Sequence, residues 1–141
     1  MEAPRPKFPL AGGCLCGAVR YEATGGYDGC AHCHCRMCQQ ASGAPVVPWF
    51  TIKGDHLRIV KGALKFYRSS AVAERGFCPD CGTQIVFRYF EDGGQSTDVT
   101  AASLDDPDAV EPTFQIYTGS RIGWMHGFDA TLPVGKGALE S

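Results

Sequence analysis

The chain has 141 residues, of which 44% are hydrophobic, and it carries a formal net charge of -2. A chain of this length fits one domain with a sizeable core, so the fold need not depend on disulfide bonds. The nearly neutral charge offers no basic surface for nucleic acid, and no apolar run approaches the roughly 20 residues that span a membrane.

The predicted elements follow from periodicity and from breaks at glycine and proline. Residues 17–24 alternate apolar and polar side chains, which predicts a half-buried strand. Residues 34–42 contain no proline or glycine and predict a short helix. Residues 45–52 are apolar and β-branched, but Pro48 interrupts them and indicates an edge or bulged strand. Further short strands are predicted over residues 57–60, 64–67, 72–77, 84–90, 98–102 and 113–117.

Many short strands separated by frequent turns are typical of an all-β domain, here with short antiparallel strands. The 18 glycines and 9 prolines of the chain agree with that class. We expect a flexible arm over residues 1–10, one domain over residues 11–134 and a tail over residues 135–141. Because the first ten residues lack the apolar core of a secretory signal, we expect a cytoplasmic protein whose thiols stay reduced.

Seven of the eight cysteines fall in three tight clusters, which are Cys14 and Cys16, then Cys33, Cys35 and Cys38, then Cys78 and Cys81. A closed tetrahedral zinc site needs four ligands, so seven clustered cysteines complete one site and leave three ligands. Catalytic zinc commonly has three protein ligands and an open fourth position. The count therefore predicts two zinc ions per chain, one structural and one open, and favours an enzyme.

The simplest division gives the structural zinc to a four-cysteine cluster, defined as Cys14, Cys16, Cys78 and Cys81. The open zinc then belongs to a local triad, defined as Cys33, Cys35 and Cys38. Three thiolates on Zn²⁺ leave a net charge of about -1, which weakens the ion as a Lewis acid. Such a site favours binding a soft sulfur ligand as thiolate over making hydroxide from water.

The residues leave other possibilities open. The triad could recruit a fourth ligand and form a second structural site, for which the candidates are Cys30, His32 and His34. A set of four cysteines could also hold an iron–sulfur cluster. Cys30 itself is typical of a small buried residue. A zinc deaminase is not indicated, because the chain has no His-x-Glu motif and Phe77, not proline, precedes Cys78.

Three segments resemble the motifs of the glutathione-dependent formaldehyde-activating enzyme family, which also includes centromere protein V. They are residues 13–21 (GCLCGAVRY), residues 33–43 (CHCRMCQQASG) and residues 77–83 (FCPDCGT). Residues 104–107 and the run over residues 116–133 are similar to the usual ending of the family. The resemblance covers most of the chain, from about residue 11 to residue 134.

This resemblance implies a β-tent zinc fold and an activity. It implies a structural zinc held by Cys14, Cys16, Cys78 and Cys81. It also implies a second zinc that meets the substrate thiol, and its ligands would be the catalytic residues Cys33, Cys35 and Cys38. The implied reaction is the condensation of formaldehyde with glutathione, which is classed with the carbon–sulfur lyases.

We therefore predict that a small thiol such as glutathione attacks a small aldehyde at the open zinc, or is released there in reverse. Candidates to bind the carboxylates of glutathione are Arg36, Arg68, Arg75 and Arg121. Candidate pocket walls are Trp49, Phe50 and Trp124. A zinc-stabilised binding module and a cysteine redox sensor are the alternative functions, and the sequence predicts no particular oligomeric state.

Overall fold

A computed structural model of the chain describes residues 5–90, 93–125 and 132–137. Within these ranges the protein is mostly β-structure with one α-helix, α1 (Arg36–Ser42). The strands are β1 (Leu10–Gly13), β2 (Arg20–Ala23), β3 (Cys30–Cys33), β4 (Val47–Lys53), β5 (Leu57–Lys61), β6 (Lys65–Arg68), β7 (Ala73–Phe77), β8 (Gln84–Tyr89), β9 (Ser96–Thr100) and β10 (Phe114–Ile116). Short 3-10 helices cover Gly54–His56, Ala101–Ser103, Pro107–Ala109, Thr118–Ser120 and Gly123–Met125. No helix in the described ranges is long and apolar enough to cross a membrane.

The strands form two sheets. The small sheet has the order β1-β2-β5, and the large sheet has the order β10-β3-β4-β9-β8-β7-β6. The pairs are antiparallel as predicted, except that β10 runs parallel to β3 at the end of the large sheet. That pair joins segments that are far apart in sequence, and no local pattern indicated it.

The hydrophobic core lies between the two sheets. Tyr21 of β2, Phe50 of β4 and Ile85 of β8 are at most 1% exposed and belong to one cluster. A smaller cluster on the other face of the large sheet joins Trp49 to the triad. Adjacent residues of a strand point to opposite faces, which is why Trp49 and Phe50 enter different clusters.

The strand and helix predictions that rest on local sequence patterns agree with the structure. The alternation over residues 17–24 corresponds to β2, in which Tyr21 and Ala23 are buried. The helix predicted over residues 34–42 is α1, which ends at Gly43 in the left-handed conformation with a φ of 72°. The short strands predicted from residue 57 onward are β5 to β10.

The prediction for residues 45–52 is wrong about position in the sheet. Strand β4 is not an edge strand, since it pairs with β3 on one side and with β9 on the other. Pro48 is accommodated because the pairing with β9 begins only at Trp49. The missing N–H of this proline therefore does not interrupt the β9 ladder.

Two strands were not predicted. Strand β1 contains Gly12 and Gly13, and glycine is a poor strand former. Gly12 is required there because a Cβ atom would collide with the Tyr21 ring and the Ser103 carbonyl. Strand β3 is the four-residue sequence CAHC, which has no alternation to recognise. The predicted arm, domain and tail boundaries stay a prediction, since part of the tail lies outside the described residues.

Candidate metal centres and the adjoining cavity

The four-cysteine cluster is assembled from two turns that are distant in sequence. The four Sγ atoms of this cluster all lie within 4.8 Å of one another. Cys14 Sγ is 3.6 Å from Cys16 Sγ, which is 3.8 Å from Cys78 Sγ. A tetrahedral zinc with bonds near 2.3 Å requires sulfurs about 3.8 Å apart, so this geometry fits the ion. Cys78 is fully buried, whereas Cys16 is exposed.

Glycine gives both turns of the cluster the same bend. Gly17 follows the first cysteine pair and Gly82 follows the second, and each has a φ of +81°. The Gly17 N–H donates to the Cys14 carbonyl at 3.2 Å, and the Gly82 N–H donates to the Cys78 carbonyl at 2.9 Å. A positive φ closes each turn tightly, which brings two sulfurs of one segment to the same side.

Hydrogen bonds to sulfur further orient the cluster. The Val19 N–H donates to Cys14 Sγ at 3.2 Å, and the Cys81 N–H donates to Cys78 Sγ at 3.5 Å. Thr83 Oγ1 lies 3.2 Å from Cys81 Sγ and accepts a hydrogen bond from the Leu15 N–H at 3.0 Å. The Thr83 hydroxyl lowers the pKa of the Cys81 thiol to about 5, so this one ligand favours the thiolate that a metal needs.

The triad is built locally at the start of α1. Cys33 ends β3, Cys35 is the residue that caps the N-terminus of α1, and Cys38 lies in the helix. Their Sγ atoms lie within 4.8 Å of one another, with Cys33 Sγ and Cys38 Sγ 3.6 Å apart. These separations exceed the covalent S–S length of about 2.05 Å, and none of the eight cysteines, all of which are described, is in a disulfide.

No fourth ligand joins the triad from the chain as described. Among the described residues, the metal-ligand group at this site contains only the three cysteines, so Cys30, His32 and His34 do not complete it. Cys30 lies instead in the hydrophobic core at 1% exposure, and burial raises its pKa to about 11. The possibility of a second closed site made from these candidates is therefore not supported.

His34, between two cysteines of the triad, contacts the C-terminal part of the domain. Its Nε2 lies 2.8 Å from Gln115 Oε1, which also accepts a hydrogen bond from Arg121 Nη2 at 3.2 Å. Because that amide oxygen only accepts, Nε2 is the donor in this contact. The backbone N–H of His34 donates to the Ile116 carbonyl at 3.0 Å. Strand β10 thus fixes the segment that presents the triad.

Gln39 also ties α1 to its surroundings, a role that the sequence did not reveal. Its side chain is 4% exposed, and Nε2 lies 3.0 Å from the His34 carbonyl, 3.2 Å from the Ser120 carbonyl and 3.3 Å from the Pro45 carbonyl. One amide therefore connects the triad, the segment after α1 and the C-terminal region. The next residue in sequence, Gln40, is exposed.

Arg75 is the one predicted substrate-binding arginine that contacts the triad in the described part of the chain. It is 5% exposed, and its Nη1 and Nη2 donate to Cys38 Sγ at 3.6 and 3.5 Å. The other candidates are exposed and interact elsewhere, with Arg36 near Gln39, Arg68 over the Phe90 ring and Arg121 on Gln115.

The three aromatic candidates for the pocket wall lie in different environments. Trp49 is buried beside the triad and packs against Phe87, with ring centroids 6.1 Å apart. Phe50 is wholly buried in the core, so its prediction as a pocket wall is wrong. Trp124 is 68% exposed. His126, which carried no prediction, lies outside the described residues.

Hydrogen bonding separates the pKa values of the buried thiols in the triad. The Cys33 thiol donates to Cys38, and this bond, followed by the Arg75 guanidinium, lowers the pKa of Cys38 to about 5 although burial opposes it. The same bond, with burial, raises the pKa of Cys33. A metal that binds all three thiolates would therefore displace the Cys33 proton.

A cavity of about 360 Å³ has the lining residues Ala41, Tyr67, Arg75, Phe77, Gly82 and Gln84, of which Arg75 is the one that contacts Cys38. A second cavity of about 470 Å³ shares Ala41, Gly82 and Gln84 with it and extends to Cys81 and Thr83. The two cavities therefore lie side by side, and the second reaches the four-cysteine cluster at Cys81. A small organic molecule in the first cavity would be next to Arg75.

Comparison with known proteins gives three findings. The family model described as glutathione-dependent formaldehyde-activating enzyme matches residues 9–120. An uncharacterized lyase of Schizosaccharomyces pombe is 32% identical over 78 residues, which cover 55% of this chain and 56% of that protein. This chain therefore aligns with little more than half the length of that relative. The crystal structure of a Rhodobacter sphaeroides protein is 26% identical, with a TM-score of 0.60, and the match covers 75% of this chain and 99% of that one.

Proposed function

Because the chain belongs to the glutathione-dependent formaldehyde-activating enzyme family, we propose that it is a zinc-dependent carbon–sulfur lyase that joins or releases a small thiol and an aldehyde. The observation that carries the proposal is the triad, whose three sulfurs lie together without a fourth protein ligand among the described residues. The lyase name of the fission-yeast relative supports the same reaction class. Glutathione and formaldehyde are the first substrates to test.

We assign two zinc ions to the chain, with different roles. The four-cysteine cluster has a closed donor set and joins two distant turns, which fits a structural site. The triad leaves one tetrahedral position for an external ligand. Thiolate donors are soft and suit zinc better than magnesium or calcium. The proposal includes the β-tent fold for the two sheets and residues 11–134 as the zinc domain.

In the proposed reaction the S–H group of the thiol adds across the C=O group of the aldehyde. The sulfur forms a bond to the carbonyl carbon, the carbon–oxygen π bond breaks and the proton ends on the oxygen, so all atoms and electrons are retained in a hemithioacetal. Zinc, when bound, would supply an electrophilic position that favours the substrate sulfur as thiolate. Cys33, Cys35 and Cys38 would hold that position, and the cavity beside Arg75 would hold the organic part of a substrate.

The test combines metal analysis with kinetics. Elemental mass spectrometry of the full chain should give close to two zinc ions, and a Cys35→Ser variant should lose one of them while remaining folded. Exchange between free glutathione and its formaldehyde adduct, measured by magnetisation-transfer NMR, should be faster with the wild-type protein and return to the uncatalysed rate with the variant. Cys30→Ser is the matched control. Cys30 lies in the core, so its replacement should leave the metal content unchanged.

The same measurements discriminate between the proposed enzyme and the alternatives. Exchange that stays at the uncatalysed rate for a panel of thiols and aldehydes, with two zinc ions bound, would contradict the enzyme and favour a binding module. Zinc release by mild peroxide, with disulfides formed in the triad and recovered by reductant, would favour a redox sensor. Equal catalysis by wild type and by a Cys35→Ser variant that has lost its zinc would remove the triad from the mechanism.

A further inference from the structure

Arg75 is buried against a cysteine that the proposed function uses as a ligand. It is 5% exposed, and both terminal nitrogens of its guanidinium are within hydrogen-bond distance of Cys38 Sγ. A buried guanidinium is costly unless an anion and further contacts compensate for the lost water. As a ligand of the proposed zinc, the Cys38 sulfur would be a thiolate and would provide that anion.

The surrounding sheet fixes the guanidinium in place. Arg75 lies in β7, where it pairs with Tyr67 of β6 and Phe87 of β8. The guanidinium carbon is 4.9 Å from the centroid of the Phe87 ring, and Nη1 donates to Gln84 Oε1 at 3.4 Å. A planar group held by a ring and an amide loses little further freedom when it donates to a ligand. Its position is therefore set by the fold and not by a substrate.

The charge of the site gives Arg75 a specific consequence. Three thiolates on Zn²⁺ carry a net charge of about -1, and an added substrate thiolate would make it about -2. A neighbouring guanidinium adds one positive charge, so the size of each of these net negative charges falls by one unit. In a buried site that difference is large, because nearby charges interact strongly where little water is present. Binding of an anionic fourth ligand thus depends on Arg75 more than binding of a neutral one does.

We infer that Arg75 is a positioning residue that offsets the negative charge of the triad through Cys38 and thereby favours an anionic sulfur in the open position. This inference deepens the proposed function and rests on it for the identity of the fourth ligand. It identifies a residue outside the ligand set that makes the site prefer the deprotonated form of the substrate thiol. Arg75 acts through Cys38 and need not touch the substrate.

The test uses the full chain loaded with zinc or cobalt, and the variants Arg75→Gln, Arg75→Lys and Arg88→Gln. Arg88 is the matched control. It lies on β8, stacks over the Phe66 ring and pairs with Glu74, and the described residues show no contact between Arg88 and a cysteine. Chelator competition measures the zinc affinity of the triad. The visible spectrum of the cobalt protein reports the binding of two probes, glutathione and imidazole.

For Arg75→Gln we expect a loss of about 10- to 100-fold in the zinc affinity of the triad, the usual effect of removing a partner of a metal ligand. Glutathione binding should weaken by a similar factor, while binding of neutral imidazole stays unchanged. Arg75→Lys should recover part of the glutathione affinity, because it restores the charge without the planar fork. It also provides a folded comparison if Arg75→Gln does not fold.

Two results would overturn the inference. One is a zinc affinity of the triad that is the same in Arg75→Gln as in Arg88→Gln. The other is a parallel loss of glutathione and imidazole binding, which would mean that Arg75 only supports the shape of the site. Failure of the proposed function would give a different result. The wild-type cobalt protein would then bind no thiol, while Arg75→Gln would still lower the zinc affinity of the triad.

Discussion

Thr83 connects the two halves of the four-cysteine cluster without being a ligand itself. Its hydroxyl oxygen accepts from the Leu15 N–H at 3.0 Å and lies 3.2 Å from Cys81 Sγ. Because the single hydroxyl proton can then be donated to the sulfur, Thr83 stabilises Cys81 as a thiolate. The residue immediately after the second glycine turn therefore has a role in the metal site without being a ligand.

Replacing Thr83 with valine keeps the volume of the side chain and removes the hydroxyl. We expect zinc affinity of the four-cysteine cluster to fall by about tenfold or more, because a ligand loses its hydrogen-bonded partner. Chelator-competition titration measures this change. Thr83→Ser retains the hydroxyl and is the control, and equal affinities for the two variants would contradict the role.

Gln39 and Gln40 show a contrast that no sequence pattern could reveal. The amide of Gln39 is buried among three backbone carbonyls, whereas Gln40 is exposed on the same helix. The difference depends on which face of α1 meets the C-terminal region, and the partner carbonyl of Ser120 is 81 residues away.

The prediction for this pair is a difference in stability. Gln39→Ala should destabilise the fold by about 1–3 kcal/mol, because it leaves buried carbonyls without their donor. Gln40→Ala should change stability by less than about 0.5 kcal/mol, as surface substitutions usually do. Urea unfolding followed by circular dichroism compares the two variants, and similar midpoints would contradict the assigned role of Gln39.

At the scale of elements, an ion pair connects the small sheet to the segment that follows β9. Arg20 of β2 donates from both terminal nitrogens to the carboxylate of Asp105, one of these bonds being 2.9 Å long. The Asp105 N–H donates to the Ala11 carbonyl at 3.0 Å, so the segment is fixed to β1 as well. The hydrogen bonds from Arg20 lower the pKa of Asp105.

The ion pair between Arg20 and Asp105 should make the stability of the fold depend on pH, and Asp105→Asn should remove this dependence. Since the pKa is lower in the folded protein, the pair stabilises the fold above the unfolded pKa of about 3.9 and the effect is lost as pH falls below it. The carboxylate is 53% exposed, so we expect only about 0.5 kcal/mol near neutral pH. Denaturant midpoints measured from pH 7 to pH 3 should converge for wild type and variant in acid. Glu22→Gln, which removes a 3.6 Å contact with Arg58 on the same sheet, is the control.

The elements that the sequence predicted are those with a local signal. The alternation in β2 and the unbroken segment of α1 are visible in single windows of sequence. The central position of β4 was missed because Pro48 suggested an edge, while its neighbours β3 and β9 come from distant segments. The parallel pairing of β10 with β3 was missed for the same reason, since it requires a crossover connection.

For the molecule as a whole, cysteine spacing predicted the two sulfur groups that the structure assembles. Spacing could not reveal Arg75 or Thr83, because a residue that supports a ligand has no fixed distance from it in sequence. The hairpin of β7 and β8 carries Arg75 on one strand and Cys78 and Cys81 in its turn. This hairpin therefore contributes to both cysteine groups, and the two cavities lie beside it.

The whole fold should depend far more on the four-cysteine cluster than on the triad. Apparent zinc binding energies of closed sites are about 10–16 kcal/mol, which is comparable to the entire stability of a domain. Cys78→Ser should therefore abolish cooperative thermal unfolding, whereas Cys35→Ser should retain it with a lower midpoint. Differential scanning calorimetry of the two variants checks this order, and a folded Cys78→Ser protein without zinc would contradict it.

The contact between Gln39 and the Ser120 carbonyl, 81 residues apart, has a consequence for biosynthesis. At translation rates of about 5–20 residues per second, Ser120 leaves the ribosome about 4–16 seconds after Gln39. During that interval the nascent chain carries the triad without the C-terminal segment that later fixes α1 and the His34 segment. Acquisition of metal by these three thiols, or their oxidation, is thus in competition with completion of the polypeptide.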